Sequence, residues 1–270
     1  MRSGCKRTVR RSFARCRGAG WWIATLTMAG IAADDFPMPP AAEALAVRVE
    51  RLFLEAKGRH AESPTNNPLA WQFARACFDW AEFATNDNQR ASIATEGIQV
   101  SRAIVEREPD LAPARYYLAM NLGQLARTRT LGALSLVSEM EALFHSVRVA
   151  DERFDEAGPD RCLGLLYRDA PGWPLSVGSR SKARRHLRRA VELAPEFPEN
   201  RLNLIEGLLQ WNDLKEARRE AESTAALLPG ARQRLSGDAW QSSWIDWDRR
   251  WKAMTANREL FPPRERRAQP

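Results

Sequence analysis

The sequence predicts an all-α protein, a solenoid of stacked helical hairpins with a right-handed superhelical twist and a tryptophan-rich capping helix at its C-terminal end. Apolar residues recur at helical spacing, and no segment alternates apolar and polar residues as a β-strand does. Small residues and prolines recur with a period of 34 residues. Such a period is typical of helical-hairpin repeats, which bury their apolar faces by stacking.

The charge of the chain is concentrated at its N-terminal end. The formal net charge is +7 and the calculated isoelectric point is about 9.7. Seven of the 41 basic residues lie among the first 33 residues, which contain no acidic residue, so the rest of the chain has 34 basic and 34 acidic residues. This balance argues against a nucleic-acid-binding protein.

Residues 1–33 are predicted to be a cleaved export signal. A basic segment precedes the apolar run Ala19–Ala33, and Gly30 and Ala32 suit a signal peptidase site, with the next frame as an alternative. The run is shorter than the roughly 20 residues of a membrane span. We therefore expect an exported periplasmic or envelope-associated protein without a span in its mature form. An uncleaved inner-membrane anchor is the alternative.

The segment "VRRSFAR" within this signal resembles a twin-arginine export signal, and an ordinary arginine-rich segment is the alternative. Cys16 precedes the apolar run, so it is not placed for lipidation. Cys77 and Cys162 remain after cleavage. An oxidising compartment would permit a disulfide between them. We favour buried free thiols, because a solenoid separates the two positions.

Residues 34–66 are predicted to form a helix and a polar linker. Leu45, Val49, Leu52, Phe53 and Ala56 have the spacing of one helix face. The connector "GRHAESPTNNP" follows, and "LAWQFARACFDWAEFA" then predicts a buried helix.

The repeat is clearest in "KARRHLRRAVELAPEF", where Ala183, Leu187, Ala190 and Pro195 have the spacing of the second helix of a tetratricopeptide repeat (TPR). In that repeat, small residues lie at the helix crossing and proline closes the unit. Pro229 follows 34 residues later, the period of that family, and is preceded by Ala217 and Ala221. The two segments therefore resemble consecutive TPR units.

Two earlier units are predicted on the same pattern. Pro109 and Pro159 resemble closing prolines, and first helices contain the pairs Leu122–Gly123 and Leu163–Gly164, in which glycine permits close helix approach. The spacings between the closing prolines of these units exceed the 34-residue period. The additional residues lie in "TRTLGALSLVSEM" and "DAPGWPLSVG". The predicted organisation is repeats at 67–229, a capping helix at 230–257 and a flexible tail at 258–270.

The capping helix is predicted from four tryptophans on one helix face, which we interpret as packed, with an exposed ligand-stacking platform as the alternative. They are Trp240, Trp244, Trp247 and Trp251. The charged residues of this segment lie off the helix face that carries the tryptophans, which we call the tryptophan stripe. These are Asp246, Asp248, Arg249 and Arg250.

No catalytic, metal-binding or cofactor-binding motif is found. His60, His145 and His186 lie in separate segments without partners at catalytic or metal-ligand spacing. We therefore predict no catalytic residue, no metal and no cofactor, and a protein that is not an enzyme. A hydrolase-type enzyme is the least favoured alternative.

Two regions are candidates for binding. With Leu122 and Gly123 at the helix crossing, Tyr117, Asn121 and Gln124 are predicted to face the concave groove, as are Asn203 and Glu206 in the last repeat. Hydrogen bonds between adjacent repeats are the alternative role of these residues.

The second region is the apolar insertion "RDAPGWPLSVGSR", which carries Trp173. We interpret it as a plug between repeats, with one wall of a ligand site as the alternative. The four arginines of "KARRHLRRA" fall on the outward side of their helix, where we expect them to be solvated. An anionic headgroup or an acidic partner is the alternative.

The segments "YYLAMNLGQLA", "GPDRCLGLLYRDAPGWPLSVGSR" and "AVELAPEFPENRLNLIE" together resemble the exported TPR component associated with TRAP-type transporters (the TatT family). The resemblance implies a scaffold that docks a periplasmic solute-binding protein, or an accessory that binds a small ligand. This chain departs from the family in lacking a lipobox, and no ligand-binding motif of the family can be matched residue by residue.

Overall fold

The computed structural model describes residues 40–129, 132–257 and 260–261. The predicted signal at 1–33 and almost all of the predicted tail lie outside these residues. The described part contains ten helices and no β-strand, only an isolated bridge between Gly172 and Gly178. The helices are α1 (Pro40–Glu62), α2 (Asn67–Ala81), α3 (Asp87–Arg107), α4 (Ala112–Ala126), α5 (Ala133–Ala150), α6 (Phe154–Asp169), α7 (Arg180–Leu193), α8 (Pro198–Gln210), α9 (Leu214–Arg234) and α10 (Gln241–Thr255).

Helices α2 to α9 form four consecutive hairpins, each packed against the next. Contacts join α2 to α3, α4 to α5, α6 to α7 and α8 to α9, and the first helix of each hairpin also contacts the first helix of the following one. Helix α10 continues this series by packing on α8, and α1 packs on α2. The predicted all-α solenoid is confirmed.

The helix boundaries follow from local sequence. The side chains of Asn66, Asn86, Ser179 and Asp213 accept hydrogen bonds from backbone N–H groups in the first turns of α2, α3, α7 and α9. Helices α2, α4 and α8 carry proline in their first turn, where its missing N–H costs no intrahelical hydrogen bond.

The start of α6 departs from helical geometry. Asp155, Glu156 and Ala157 have φ values of 51°, 56° and 64°, the left-handed region that residues with a side chain seldom adopt. The buried guanidinium of Arg161 donates to the carbonyl oxygens of Asp155 and Glu156 and to the Asp155 carboxylate, at 2.7–3.0 Å. Asn200 of α8 donates to the Glu156 carbonyl as well. These bonds hold the strained turn and link α6 to the next hairpin.

Three details differ from the sequence expectations. Helix α9 continues past Pro229 to Arg234, because the extra turn buries Ala231 and brings Leu235 against the core. On α1, Leu52 is exposed while its predicted companions are buried. Arg250, expected off the packed stripe, is buried in α10 beside Trp244 and Trp247.

The C-terminal helix is nevertheless packed as predicted. Trp240, Trp244 and Trp247 are buried, and their rings contact one another and Phe197 at 4.9–6.1 Å between centroids. Among the described residues, no helix has both the length and the apolar character needed to cross a membrane.

Candidate functional site

The polar residues of α4 that were predicted to face the groove are buried and bonded within the repeat array. Asn121 donates to the backbone oxygens of Ala74 and Tyr117, each at 2.8 Å. Gln124 accepts from Arg90 at 2.8 Å and also contacts Glu82. This arrangement matches the alternative interpretation, in which these side chains hold α2, α3 and α4 in register.

Tyr117, the third of these residues, is also buried, and its ring lies parallel to the Trp71 ring with centroids 6.0 Å apart. Both Leu-Gly pairs of the predicted repeats are buried as well, namely Leu122–Gly123 and Leu163–Gly164. So are Ala183, Leu187, Ala190, Ala217 and Ala221. Pro195, which follows α7, and Pro229, which lies inside α9 and does not close its repeat, are exposed.

The two candidates on α8 are held by α10. The guanidinium of Arg250 donates to both carboxylate oxygens of Glu206, at 2.7 and 2.8 Å, and to the Asn203 side-chain oxygen at 2.5 Å. Arg168 of α6 lies 3.5 Å from the same Glu206 carboxylate. Arg250 therefore joins both residues to α10, with Asn203 buried and Glu206 partly exposed.

One turn earlier on α8, the Glu199 carboxylate is buried and neither of its oxygens has a hydrogen-bond partner. Burial raises the pKa of the Glu199 carboxyl to about 7, although the positive charges of Arg161 and Arg250 oppose the shift. Sequence analysis missed Glu199, Arg161 and Arg250. The available signal was the spacing of Glu199, Asn203 and Glu206, which places three polar side chains on one face of α8.

Trp173 does not act as a plug. Its side chain is 89% exposed and that of Leu175 is 70% exposed, at the tip of the loop between α6 and α7. The base of this loop is fixed by hydrogen bonds from Gly178 N to Pro171 O and from Ser179 N to Tyr167 O, both 2.8 Å. No side chain fits inside the base, since a Cβ atom on Gly178 would lie 2.1 Å from a backbone oxygen. The loop thus presents two large apolar side chains on a closed backbone turn.

Two histidines that appeared isolated in sequence meet between α5, α6 and α7. The rings of His145 and His186 lie 5.9 Å apart, and the His186 Nδ1 atom lies 2.7 Å from the Asp160 carboxylate. Tyr167 donates to Glu141 at 2.5 Å and contacts His145 Nε2 at 3.0 Å. The histidines have no partners at catalytic or metal-ligand spacing in the sequence, and His145 and His186 meet only because α5, α6 and α7 pack together.

A sequence signal for this cluster existed in the spacing on two of the three helices. Glu141, His145 and Arg148 recur at i, i+4 and i+7 on α5, and Lys182 and His186 recur at i and i+4 on α7. Burial lowers the pKa of His145, and the neighbouring His186 lowers it further. Among the described residues, no group of three or more His, Cys, Asp or Glu side chains is arranged to hold a metal ion.

The arginine ridge of α7 is largely neutralised by acidic neighbours. Arg184 and Arg188 pair with Asp213 and Glu216 at the start of α9, at distances of 2.5–3.6 Å. Arg189 pairs with Glu152 and Glu192 at 3.0 and 3.3 Å. Most of these pairs join consecutive hairpins, so the ridge is not a free cationic surface.

Two cavities lie at the N-terminal end of the array. One of about 590 Å³ is lined mainly by polar residues of α3, including Asp87 and Glu96, with Arg129 at its rim. The other, of about 300 Å³, lies between His60 and Arg107. Neither includes the residues of the histidine cluster. Cys77 and Cys162 are buried free thiols in separate apolar clusters.

Comparison with known proteins supports the fold. The crystal structure of TTC0263, a thermophilic TPR protein of Thermus thermophilus, matches with a TM-score of 0.58 and 17% sequence identity, over 80% of this chain and 96% of that chain. No protein-family model matches the sequence, and no curated protein sequence matches it. The chain thus has a TPR-like helical-repeat fold. Its likeness to TTC0263 concerns the fold alone.

Proposed function

We propose that this protein is an exported, non-catalytic scaffold that binds a partner protein in the cell envelope. Helical-repeat solenoids present large, rigid surfaces and are widely used for protein interaction. The polar side chains inside the array serve mainly to join helices, as Asn121, Gln124 and Asn200 do. This internal use of polar groups supports a structural scaffold over an enzyme.

The observation that carries the proposal is the exposed pair Trp173 and Leu175, which we call the apolar knob. Soluble proteins seldom expose tryptophan this fully, and tryptophan is strongly enriched among the residues that dominate binding energy at interfaces. The closed turn beneath the knob keeps the backbone ordered before binding, which lowers the entropy cost of association. The knob is therefore suited to insert into an apolar pocket on a partner.

We further propose that the partner is the periplasmic solute-binding protein of a TRAP-type transporter. This proposal rests on the resemblance of the three quoted segments to the TatT family. Export itself is proposed from the basic and apolar halves of residues 1–33.

The experiment is a pull-down from an envelope extract with the tagged chain as bait, followed by mass spectrometry and a binding measurement with the purified partner. The double variant Trp173→Ala, Leu175→Ala should lose the partner. Val149→Ala is the matched control, because Val149 is 86% exposed on α5, away from the knob. Equal recovery of the partner by both variants would refute the role of the knob.

A further inference from the structure

One residue, Tyr167, belongs both to the histidine cluster between α5, α6 and α7 and to the base of the apolar knob. Its backbone carbonyl oxygen accepts the 2.8 Å hydrogen bond from Ser179 N that closes the knob loop. Its buried hydroxyl donates to Glu141 at 2.5 Å and lies 3.0 Å from His145 Nε2. A shift of Tyr167 therefore acts on the cluster and on the knob together.

The helix that follows the knob, α7, is held by the same two side chains. The Lys182 Nζ atom, in the first turn of α7, lies 4.7 Å from the centroid of the Tyr167 ring and 3.7 Å from the Glu141 carboxylate. The Ser179 hydroxyl accepts a hydrogen bond from Lys182 N and caps this turn. Both ends of the knob loop thus depend on the position of Tyr167 and on its bond to Glu141 of α5.

The two histidines lie in the seam where α5 and α7 both pack on α6. His145 of α5 is half-buried, whereas His186 of α7 is buried and its Nδ1 atom lies 2.7 Å from Asp160 of α6. The two rings are 5.9 Å apart. Because Tyr167 donates its hydroxyl proton to Glu141, the neutral His145 ring is the donor to Tyr167, with its proton on Nε2.

Charged groups from all three helices face the seam. The cations are Arg148 of α5 and Lys182 and Arg185 of α7, and the carboxylates are Glu141 of α5 and Asp160 of α6. Burial lowers the pKa of His145, and the nearby positive charges lower it further, whereas Glu141 opposes the shift. His145 therefore binds a proton more weakly inside the seam than in water. Acid consequently favours a state in which this half-buried ring has turned out to solvent.

We propose that the histidine cluster is an acid-sensitive latch on the apolar knob. At neutral pH, His145 holds Tyr167 and the base of the knob loop stays closed. As the medium becomes acidic, His145 takes up a proton and turns towards solvent, Tyr167 loses this donor, and the loop base opens. The knob then lacks the ordered backbone that favours association, so the partner is released. This inference rests on the proposed function, that the knob binds a partner, and it adds the regulation of that site.

The test measures hydrogen–deuterium exchange of the full chain from about pH 8 to about pH 5, with rates corrected for the intrinsic pH dependence of exchange. The informative amides are those of Gly178 and Ser179, whose bonds to Pro171 and Tyr167 close the loop base. Opening that takes up one proton lowers protection by up to about tenfold per pH unit. We expect this loss at both amides as the pH falls below 6.5, the ordinary pKa of histidine. Amides of α4 are the internal reference and should keep their protection.

Three variants make the test specific to the latch. His145→Gln keeps an N–H group that can donate to Tyr167 but takes up no proton, so it should abolish the pH dependence at the loop base. Tyr167→Phe removes the acceptor of His145 and should give the same flat profile, with lower protection at neutral pH. His60→Gln, which replaces the histidine of α1, is the matched control and should leave the pH dependence intact. Circular dichroism shows whether each variant is folded.

Protection of the loop base that stays constant with pH in the wild type, or a loss that survives His145→Gln, would overturn the latch. An equal loss of protection in α4 would show global unfolding and would overturn it as well. The assay needs no partner, so a failed latch leaves the role of the knob in the pull-down untouched. A failed pull-down, in turn, leaves the exchange result unchanged.

Discussion

Gly164 of α6 and Leu187 of α7 approach so closely that a Cβ atom on Gly164 would lie 2.7 Å from the Leu187 side chain and 3.1 Å from its backbone nitrogen. We therefore expect Gly164→Ala to force the two helices apart and to lower the free energy of unfolding by about 1–3 kcal/mol. Urea denaturation measures this difference. Gly58→Ala is the control, because no atom lies within 4 Å of its Cβ position. It should leave stability unchanged or raise it by up to about 1 kcal/mol.

Glu199 should make stability depend on pH. Its carboxyl binds a proton more tightly in the folded chain, with a pKa of about 7 against 4.5 for the ordinary group. This contribution to stability is fully present below pH 4.5 and is lost as the pH rises through 7. Glu199→Gln should thus be more stable than the wild type by roughly 1–3 kcal/mol at pH 8, and the difference should shrink towards pH 4.5. A difference that does not change with pH would contradict the burial argument.

Arg161 should be among the most important single residues for stability. Replacing it by Met leaves the Asp155 carboxylate buried and removes the donors that hold the left-handed turn. Breaking a buried pair in this way costs about 3–5 kcal/mol. Arg189→Met, which removes the surface ion pairs of Arg189 with Glu152 and Glu192, serves as the control and should not change the urea midpoint measurably. Similar midpoints for the two variants would show that the turn does not depend on Arg161.

The free thiols of the mature part of the chain should be unreactive until the protein unfolds. Cys77 and Cys162 are buried, and burial raises the pKa of the Cys77 thiol, so little reactive thiolate forms. A thiol reagent should label neither cysteine in a native chain that begins at Asp34, and both after denaturation. Fast labelling of one thiol under native conditions would indicate local opening of α2 or α6.

Export should remove the basic N-terminal segment. Expression of the full gene followed by fractionation and N-terminal sequencing should yield a periplasmic chain that begins after Ala32 or Ala33. Replacing the Arg10–Arg11 pair by lysines distinguishes the two routes, because only a twin-arginine signal requires both arginines. Recovery of the uncleaved chain from the inner membrane would instead favour the anchor.

The sequence was sufficient to predict the helical hairpins, because their determinants are local. Ala183, Leu187 and Ala190 mark one buried helix face, and all three are fully buried. The tryptophan stripe likewise identified the face on which α10 packs. These patterns depend only on the helical period and on the need to bury apolar surface.

The parts that were missed depend on contacts between distant segments. His145 and His186 are 41 residues apart, and only the packing of α5 and α7 on α6 brings their rings together. Arg250 lies off the tryptophan stripe, where a charged residue is usually exposed, whereas the acidic face of α8 stabilises it in the interior. The exposure of Trp173 was also missed, because an apolar loop is ordinarily expected to bury its tryptophan.

Photo-crosslinking from the knob tests the central claim most directly. A photoreactive phenylalanine analogue is placed at Leu175 in cells, and at Val149 as the control. We predict one discrete adduct from position 175 that contains the protein recovered in the pull-down, and none from position 149. Failure to form an adduct at position 175, or the same adducts from both positions, would contradict a scaffold that binds its partner through Trp173 and Leu175.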